Sequence, residues 1–520
     1  MEKLLYLLLA ACVFFMNTQH GLKIPIGKNA IHLGIVDVLL PLTFALMLLW
    51  ATMQKRLLRL KLPPVAVWAL PAAALVVAVV AGQMKASAGG VETAVGRAAV
   101  LKEILQLVMY FVIGWMLFVN IGRNRTRLRG LISVFLFAAG AAVLWGLIEY
   151  AAKGDVFTAG GPHANINVLG AYFAIVLPFV AGIALFDRQS ALQRLSLVVP
   201  VVVGAAITLS MPALLVTAAS LLLVLAMRST KLLFAGILLL LIVILVLPGS
   251  LRRNHVDILT SSVAVYVDNN HLLSDERLME RAQKLLAEKR YGDARQLLLQ
   301  LDGADRLNDE GVKLLDEATR SATPEEKARP VQVAARYRCW QAALRALRAA
   351  PKDRPCAVVA EKTKEQPRKQ SAGKKPPARP QYASLFLRGA GVGWFKKAIG
   401  QYYGTMPKPT HNTDEVEAYN INCDQPDTFG QLFVTTVELG VLGLLALVWF
   451  YLWGMGRAIR LFAGAQSPLS RGVAAGVIGS LAFMPILALY SELLVRGVAL
   501  PLVFIIACVY ILERSEKEPA

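Results

Sequence analysis

Long apolar runs alternate with short polar stretches along most of this chain. Twelve runs read as helices able to cross a bilayer: roughly 3–17, 33–53, 64–82, 100–120, 131–152, 168–187, 195–209, 212–227, 232–248, 433–455, 472–491 and 494–512. A crossing needs about 20 apolar residues, so several of these runs sit near the minimum. Only Ser210 and Met211 separate the runs 195–209 and 212–227, which read either as two spans or as one long broken helix. The predicted fold class is all-α, a polytopic integral membrane protein. Nine spans fall in residues 1–248 and three in 433–520, with one large polar loop, 249–432, between the ninth and tenth.

The basic residues give the spans a direction. Lys55, Arg56, Arg59 and Lys61 follow the second run, and Arg123, Arg125, Arg127 and Arg129 follow the fourth. Arg188 and Arg194 follow the sixth, Arg228 and Lys231 the eighth, and Arg457, Arg460 and Arg471 the tenth. Short cytoplasmic loops collect Lys and Arg. With twelve spans all these bases fall on one side, which predicts cytoplasmic termini and places 249–432 outside. The first run contains Leu9-Ala10-Ala11-Cys12, similar to a lipoprotein cleavage box. The apolar run continues through Val13, Phe14, Phe15 and Met16, where a mature lipoprotein would turn polar, so it reads as an uncleaved anchor.

The outer loop has three parts. Residues 272–350 carry Ala282, Leu285, Leu286, Tyr291, Ala294, Leu297, Leu298 and Leu301 at helical spacing. AQKLLAEKRYGDARQLLLQL resembles a tetratricopeptide helix pair, and CWQAALRALRAAPKD the closing helix of another. Two such units are fewer than a solenoid needs, so a small helical insert is expected, suited to an envelope protein partner. Residues 361–381 are rich in Lys, Pro and Gln and read as a flexible linker. Lys327 to Lys397 holds 18 bases against three acids, which suits either a solvated strap or contact with anionic head groups or acidic glycan. Residues 382–432 change from the Gly- and aromatic-rich LFLRGAGVGWFKKAIGQYYG to the base-free THNTDEVEAYNINCDQPDTF.

Composition narrows the function. The 520 residues are 56% hydrophobic and 17% charged, with a mean hydropathy of +0.53. Soluble domains carry roughly 25% charged residues, so an ordinary globular protein is excluded. The five cysteines are too sparse for a disulfide-stapled scaffold, although Cys339, Cys356 and Cys423 share the predicted oxidising side. The formal charge of +20 sits largely between apolar runs, so a membrane rather than nucleic acid is the expected partner. No Cys-x-x-Cys, His-Glu-x-x-His or phosphate-loop pattern occurs, which argues against a zinc site and an ATP-driven pump.

GPHANINVLGAYFAIVLPF, GAGVGWFKKAIGQYYG and FVTTVELGVLGLLALV together resemble the O-antigen ligase and polymerase superfamily of bacterial envelope enzymes. GPHANINVLGAYFAIVLPF (161–179) is similar to the family's entry into a mid-protein span through His163, Asn167, Gly170 and Pro178. GAGVGWFKKAIGQYYG (389–404) is similar to a Gly- and aromatic-rich stretch late in the family's outer loop. FVTTVELGVLGLLALV (433–448) is similar to the Glu-Leu-Gly start of the span after that loop. The chain departs from the family twice. Ser210-Met211-Pro212 stands where a Ser-Arg-Gly is usual, and Pro426-Asp427 where a His-Asn is usual, with His411-Asn412 further upstream.

The resemblance implies a metal-independent glycosyltransferase in the bacterial cytoplasmic (inner) membrane, without a bound cofactor. Its donor is a glycan on undecaprenyl diphosphate. Its acceptor is a hydroxyl of a glycan, a lipid A core or a protein. Diphosphate calls for arginine, whose planar fork pairs with phosphate oxygens, and Arg252, Arg253, Arg336, Arg338, Arg388 and Arg496 are the candidates on the outer side. His411 or Asp427 is the candidate proton acceptor, with Asp424 and Glu438 as further carboxylates, and His163 and Asn167 stand at the outer entrance of the sixth span. Rival readings are a lipid-linked glycan transporter, which would show paired repeats that this chain lacks, and a non-catalytic membrane scaffold acting through the helical insert.

Overall fold

The computed structural model describes residues 1–18, 21–26, 29–86, 101–153, 166–187, 190–207, 211–246, 275–303, 308–323, 343, 389, 430–491, 493–494 and 497–517. They form two compact units. The first comprises Met1–Asn254 and Leu442–Ala520, and the second comprises His255–Val441.

The first unit opens with α1 (Glu2–Phe15), a β-hairpin of β1 (Gly21–Ile26) and β2 (Asn29–Gly34), and α2 (Ile35–Met53). It continues through α3 (Val65–Ala86), α4 (Leu101–Ile121), α5 (Arg125–Lys153), α6 (Ile166–Phe186), α7 (Ala191–Ala206), α8 (Met211–Arg228) and α9 (Thr230–Val246). The second unit holds α10 (Asp275–Ala287), α11 (Tyr291–Gly303) and α12 (Asp309–Ser321). Then α13 (Gln431–Gly464) begins in the second unit and ends in the first, and α14 (Pro468–Ala482), α15 (Met484–Tyr490) and α16 (Ala499–Lys517) complete the first.

A helix lies over each of the twelve apolar runs. Among the described residues, five helices are long and apolar enough to cross a membrane: α2, α4, α13, Arg125–Glu149 of α5 and Val168–Phe186 of α6. They become six if α14 and α15, bent by 42° at their junction, form one span, while α3, α7, α8 and α9 contribute only shorter apolar stretches. The protein is therefore a membrane protein by the length and composition of its helices. The runs 195–209 and 212–227 are separate helices, α7 and α8.

One element departs from the all-α expectation. β1 pairs antiparallel with β2 in the register Leu22↔Leu33, Ile24↔Ile31 and Ile26↔Asn29. The alternation of Leu22, Ile24 and Ile26 against Ile31 and Leu33 is a period-2 pattern. Asp37, near the start of α2, accepts the Gly34 N–H at 2.9 Å and the Tyr110 hydroxyl at 3.0 Å. This carboxylate fastens the end of the hairpin to α4. The partner Tyr110 lies in a π-helical segment, Val108–Ile113, within α4.

Burial divides the helices by role. In α6, 89% of the apolar window is buried inside the protein, which makes it the central post of the unit; in α2 the figure is 28%. Leu49, Phe137, Phe234, Leu238 and Leu452 remain exposed, an apolar outer surface suited to lipid. α14 lies against α6 at glycine distance. A methyl group built on Gly182 would stand 2.5 Å from the Gly472 oxygen and the Gly476 nitrogen, and one on Gly476 would stand 2.7 Å from the Phe179 Cα. Ser480 fixes the register by donating to the Ile175 carbonyl at 2.5 Å. Small residues substitute for hydrophobic drive in lipid because they let backbones meet.

The base-bearing stretches gather at one end of this unit. Arg127 pairs with Glu2 at 2.6 Å, and Arg129 with Asp187 at 3.1 Å. Arg228 lies over the Phe186 ring at 5.3 Å. Arg457 pairs with Glu513 at 2.6 Å and stacks over Trp453 and Tyr510. The Ser470 hydroxyl donates to Glu516 at 2.7 Å.

In the second unit, α10 and α11 form a helical hairpin closed by α12. Ala282, Leu286, Ala294, Leu298 and Ala318 make its core. Met279, Ala282 and Leu286 of α10 recur with the same spacing as Leu315, Ala318 and Ala322, so α12 repeats the first helix of the hairpin. A tetratricopeptide unit has a comparable helix–turn–helix plan. The hairpin turn holds Lys289 at φ 58°, with Arg290 N–H bonded to the Leu285 carbonyl and Lys289 N–H to the Leu286 carbonyl, both at 2.9 Å. That closure normally takes glycine at the left-handed position, which costs other residues roughly 1 kcal/mol or more. Lys289→Gly is expected to stabilise the insert by about 1 kcal/mol, read as a higher urea midpoint in the unfolding curve of the full-length protein.

Candidate functional site

The strongest candidate site is the entry to α13, where Gly389, the first residue of one motif stretch, meets another motif stretch. Gly430 introduces the helix with φ 98°. Gln431, Thr435 and Thr436 are buried in its first turns. The Gln431 amide donates to Thr435 Oγ1 at 3.0 Å, and the Thr436 hydroxyl donates to the Leu432 carbonyl at 2.7 Å. A threonine bonded back to its own helix tends to bend it. The bend arrives at Gly440, which leaves helical geometry at φ 64°, ψ −161°. That conformation is essentially reserved for glycine.

Gly389 is seated on this break. Its φ is 74°. A Cβ there would collide with the Glu438 carbonyl oxygen and would stand 2.7 Å from its carbon and 2.8 Å from the Gly440 nitrogen. The backbone of Gly389 thus meets the backbone of the Glu-Leu-Gly stretch, with no room for any side chain at 389. Glu438, half-buried, sits at this contact. A broken helix inside a membrane protein is tolerated where it is covered by protein or lines a cavity, and such breaks mark many binding sites. An acidic side chain within such an apolar helix is costly and commonly functional.

The structure places two of the predicted site residues. Glu438 is at the break, and Asn167 is in the first turn of α6. His163, Arg252, Arg253, Arg336, Arg338, Arg388, His411, Asp427 and Arg496 lie outside the described residues, as do Cys339, Cys356 and Cys423. Cys12 is buried within α1, its sulfur 3.8 Å from the Thr43 hydroxyl.

Sequence reasoning missed two buried polar pairs in the first unit. Tyr110 donates to Asp37, and Tyr172 donates to Asn17 Oδ1 at 2.8 Å. Asn17 also bonds the Val13 carbonyl at 3.2 Å, which anchors the end of α1 to α6. The signal for them was a lone polar residue within or beside each apolar run, since such residues are expensive in a membrane unless paired. Both pairs are satisfied internally, so they hold helices together.

Compared with known proteins, the chain matches no family model and no curated protein.

Proposed function

We propose that this chain is an O-antigen ligase-like glycosyltransferase, which moves or polymerises a glycan from undecaprenyl diphosphate onto a hydroxyl acceptor. The observation that supports the reading is the seating of Gly389 against Glu438 and Gly440. These glycines belong to stretches far apart in sequence, each similar to a motif of that superfamily, and they meet at a helix break. In the proposed step the acceptor oxygen attacks the anomeric carbon, the bond to diphosphate breaks, and the electron pair leaves with the diphosphate. His411 or Asp427 takes the acceptor proton. Glu438 orients the acceptor or carries that proton onward. Arginines among Arg252, Arg253, Arg336, Arg338, Arg388 and Arg496 pair with the diphosphate. The reaction belongs at the outer face of the bacterial cytoplasmic membrane, with both termini cytoplasmic.

The recurring pattern of α10 and α12 favours a second reading, a scaffold that recruits an envelope protein through its tetratricopeptide-like insert. Deleting the gene and sizing the lipid-linked glycans that accumulate separates the two. Single repeat units stalled on undecaprenyl diphosphate are the result expected of a polymerase, and finished polymers still on that lipid the result expected of a ligase. An unchanged pool overturns the transferase reading and leaves the scaffold.

A further inference from the structure

The gathered bases enclose a cavity of about 230 Å³ between the ends of α1, α2, α4 and α5. Arg56, Arg59, Arg123 and Arg127 line it against a single carboxylate, Glu2. Arg127 already pairs with Glu2 at 2.6 Å and, by donating that hydrogen bond, holds the Glu2 carboxyl below its usual range. The cavity therefore keeps a clear excess of guanidinium.

The segment carrying Arg56 and Arg59 is firmly built. α2 ends in a closure in which the Arg56 N–H bonds the Ala51 carbonyl at 2.8 Å and Lys55 takes φ 52°. Asn120 then grips the far end of the loop. Its Oδ1 accepts the Lys61 N–H at 2.8 Å, and its Nδ2 donates to the Lys61 carbonyl at 3.0 Å. Yet this pinned segment holds Leu58 fully exposed, Leu62 largely so and Leu57 about half so, at 100%, 72% and 47%. Leucines alternate with the bases over the same residues, Lys55 to Leu62. A fixed loop that presents leucine outward beside arginine fits the boundary between acyl chains and head groups, where long bases reach the polar layer.

We propose that this cleft is a binding site for the phosphate-bearing head group of an anionic membrane lipid. Arg56, Arg59 and Arg123 pair with the phosphate oxygens, and Leu57, Leu58 and Leu62 enter the acyl layer. The leucines commit the site to a lipid, because a soluble phosphate has no use for them. The site is independent of the transferase reading and shares no residue with the α13 entry.

The test uses the purified full chain in neutral detergent, titrated with dioleoyl phosphatidylglycerol or dioleoyl phosphatidylcholine while thermal unfolding is followed. Phosphatidylglycerol is expected to raise the Tm saturably and phosphatidylcholine to leave it unchanged. At roughly fivefold per base, R56Q/R59Q is expected to weaken the phosphatidylglycerol response about 25-fold. Arg194→Gln, at an exposed arginine outside the cleft, is expected to retain it. Leu58→Ser tests the acyl contact and is expected to weaken the response without lowering the Tm measured in phosphatidylcholine. An R56Q/R59Q response equal to the parent, an equal shift from inorganic phosphate, or no shift with phosphatidylglycerol overturns the proposal. If R56Q/R59Q unfolds, Arg59→Gln alone decides it on the same criterion.

Discussion

Gly476→Val is expected to destroy the first unit rather than weaken it. The added Cβ alone would stand 2.7 Å from the Phe179 Cα and 2.8 Å from its carbonyl oxygen. These are backbone atoms, so no rotamer change relieves the collision. α14 would have to move away from α6, and the close approach at Gly182, where a built Cβ stands 2.5 Å from the Gly472 oxygen and the Gly476 nitrogen, moves with it. Overpacking a core costs roughly 1–3 kcal/mol where side chains give way. Here a backbone must give way, and the Ser480 bond to Ile175 is lost as well, so a cost above about 4 kcal/mol is expected. The readout is the yield of monodisperse protein in detergent and its Tm. Gly456→Ala in α13 is the control. Its Cβ would meet only the end of the Arg460 side chain at 3.7 Å, and alanine gains up to about 1 kcal/mol in a helix. That variant is expected to be as stable as the parent or slightly more so. A Gly476→Val protein that matches the control would mean that α6 and α14 do not pack as described.

How far the sequence carried this fold depends on what each feature demands of its residues. A buried or lipid-covered helix demands apolar residues over its whole length, and that demand is written plainly, so helices lie over the apolar runs, although among the described residues five or six of them, not twelve, are long and apolar enough to span a membrane. The gathering of the bases at one end followed from the same reading, because charges are expelled from the apolar layer. The hairpin at 21–34 was legible in principle, through the alternation of Leu22, Ile24 and Ile26, but a short polar link between two strong apolar runs is overshadowed by them. The π segment of α4 left no mark, since Val108 to Ile113 reads as any other apolar turn. The break at Gly440 was hidden for a related reason. Glycine occurs throughout these helices, and only the backbone shows that the one after Glu438-Leu439 is turned out of the helix while Gly454 and Gly456 are not. The candidate site was half legible. Motif similarity selected Glu438 and the stretch from Gly389, but their meeting depends on a left-handed glycine pressed against a carbonyl, which no spacing rule encodes.

That meeting gives the proposed function its sharpest consequence. Gly389→Ala adds one methyl group and is excluded twice, by φ 74° and by the Glu438 carbonyl. The backbone at 389 must then lift from the α13 break. In a deletion strain complemented with this variant, glycan transfer is expected to fall at least about 100-fold, the scale on which an ångström of misplacement acts. Protein level is expected to hold, because the tight α6–α14 packing of the first unit is untouched. Glu438→Gln separates position from charge. The amide keeps the shape of a half-buried side chain, so the fold and the seat of Gly389 are expected to remain. If the carboxylate carries or orients the acceptor proton, transfer falls roughly 10²–10⁴-fold and its pH profile loses the limb due to that group. A Gly389→Ala strain with normal glycans would remove the α13 break from the mechanism. Normal glycans with Glu438→Gln but not with Gly389→Ala would leave the break as a scaffold for the site and return the proton to His411 or Asp427.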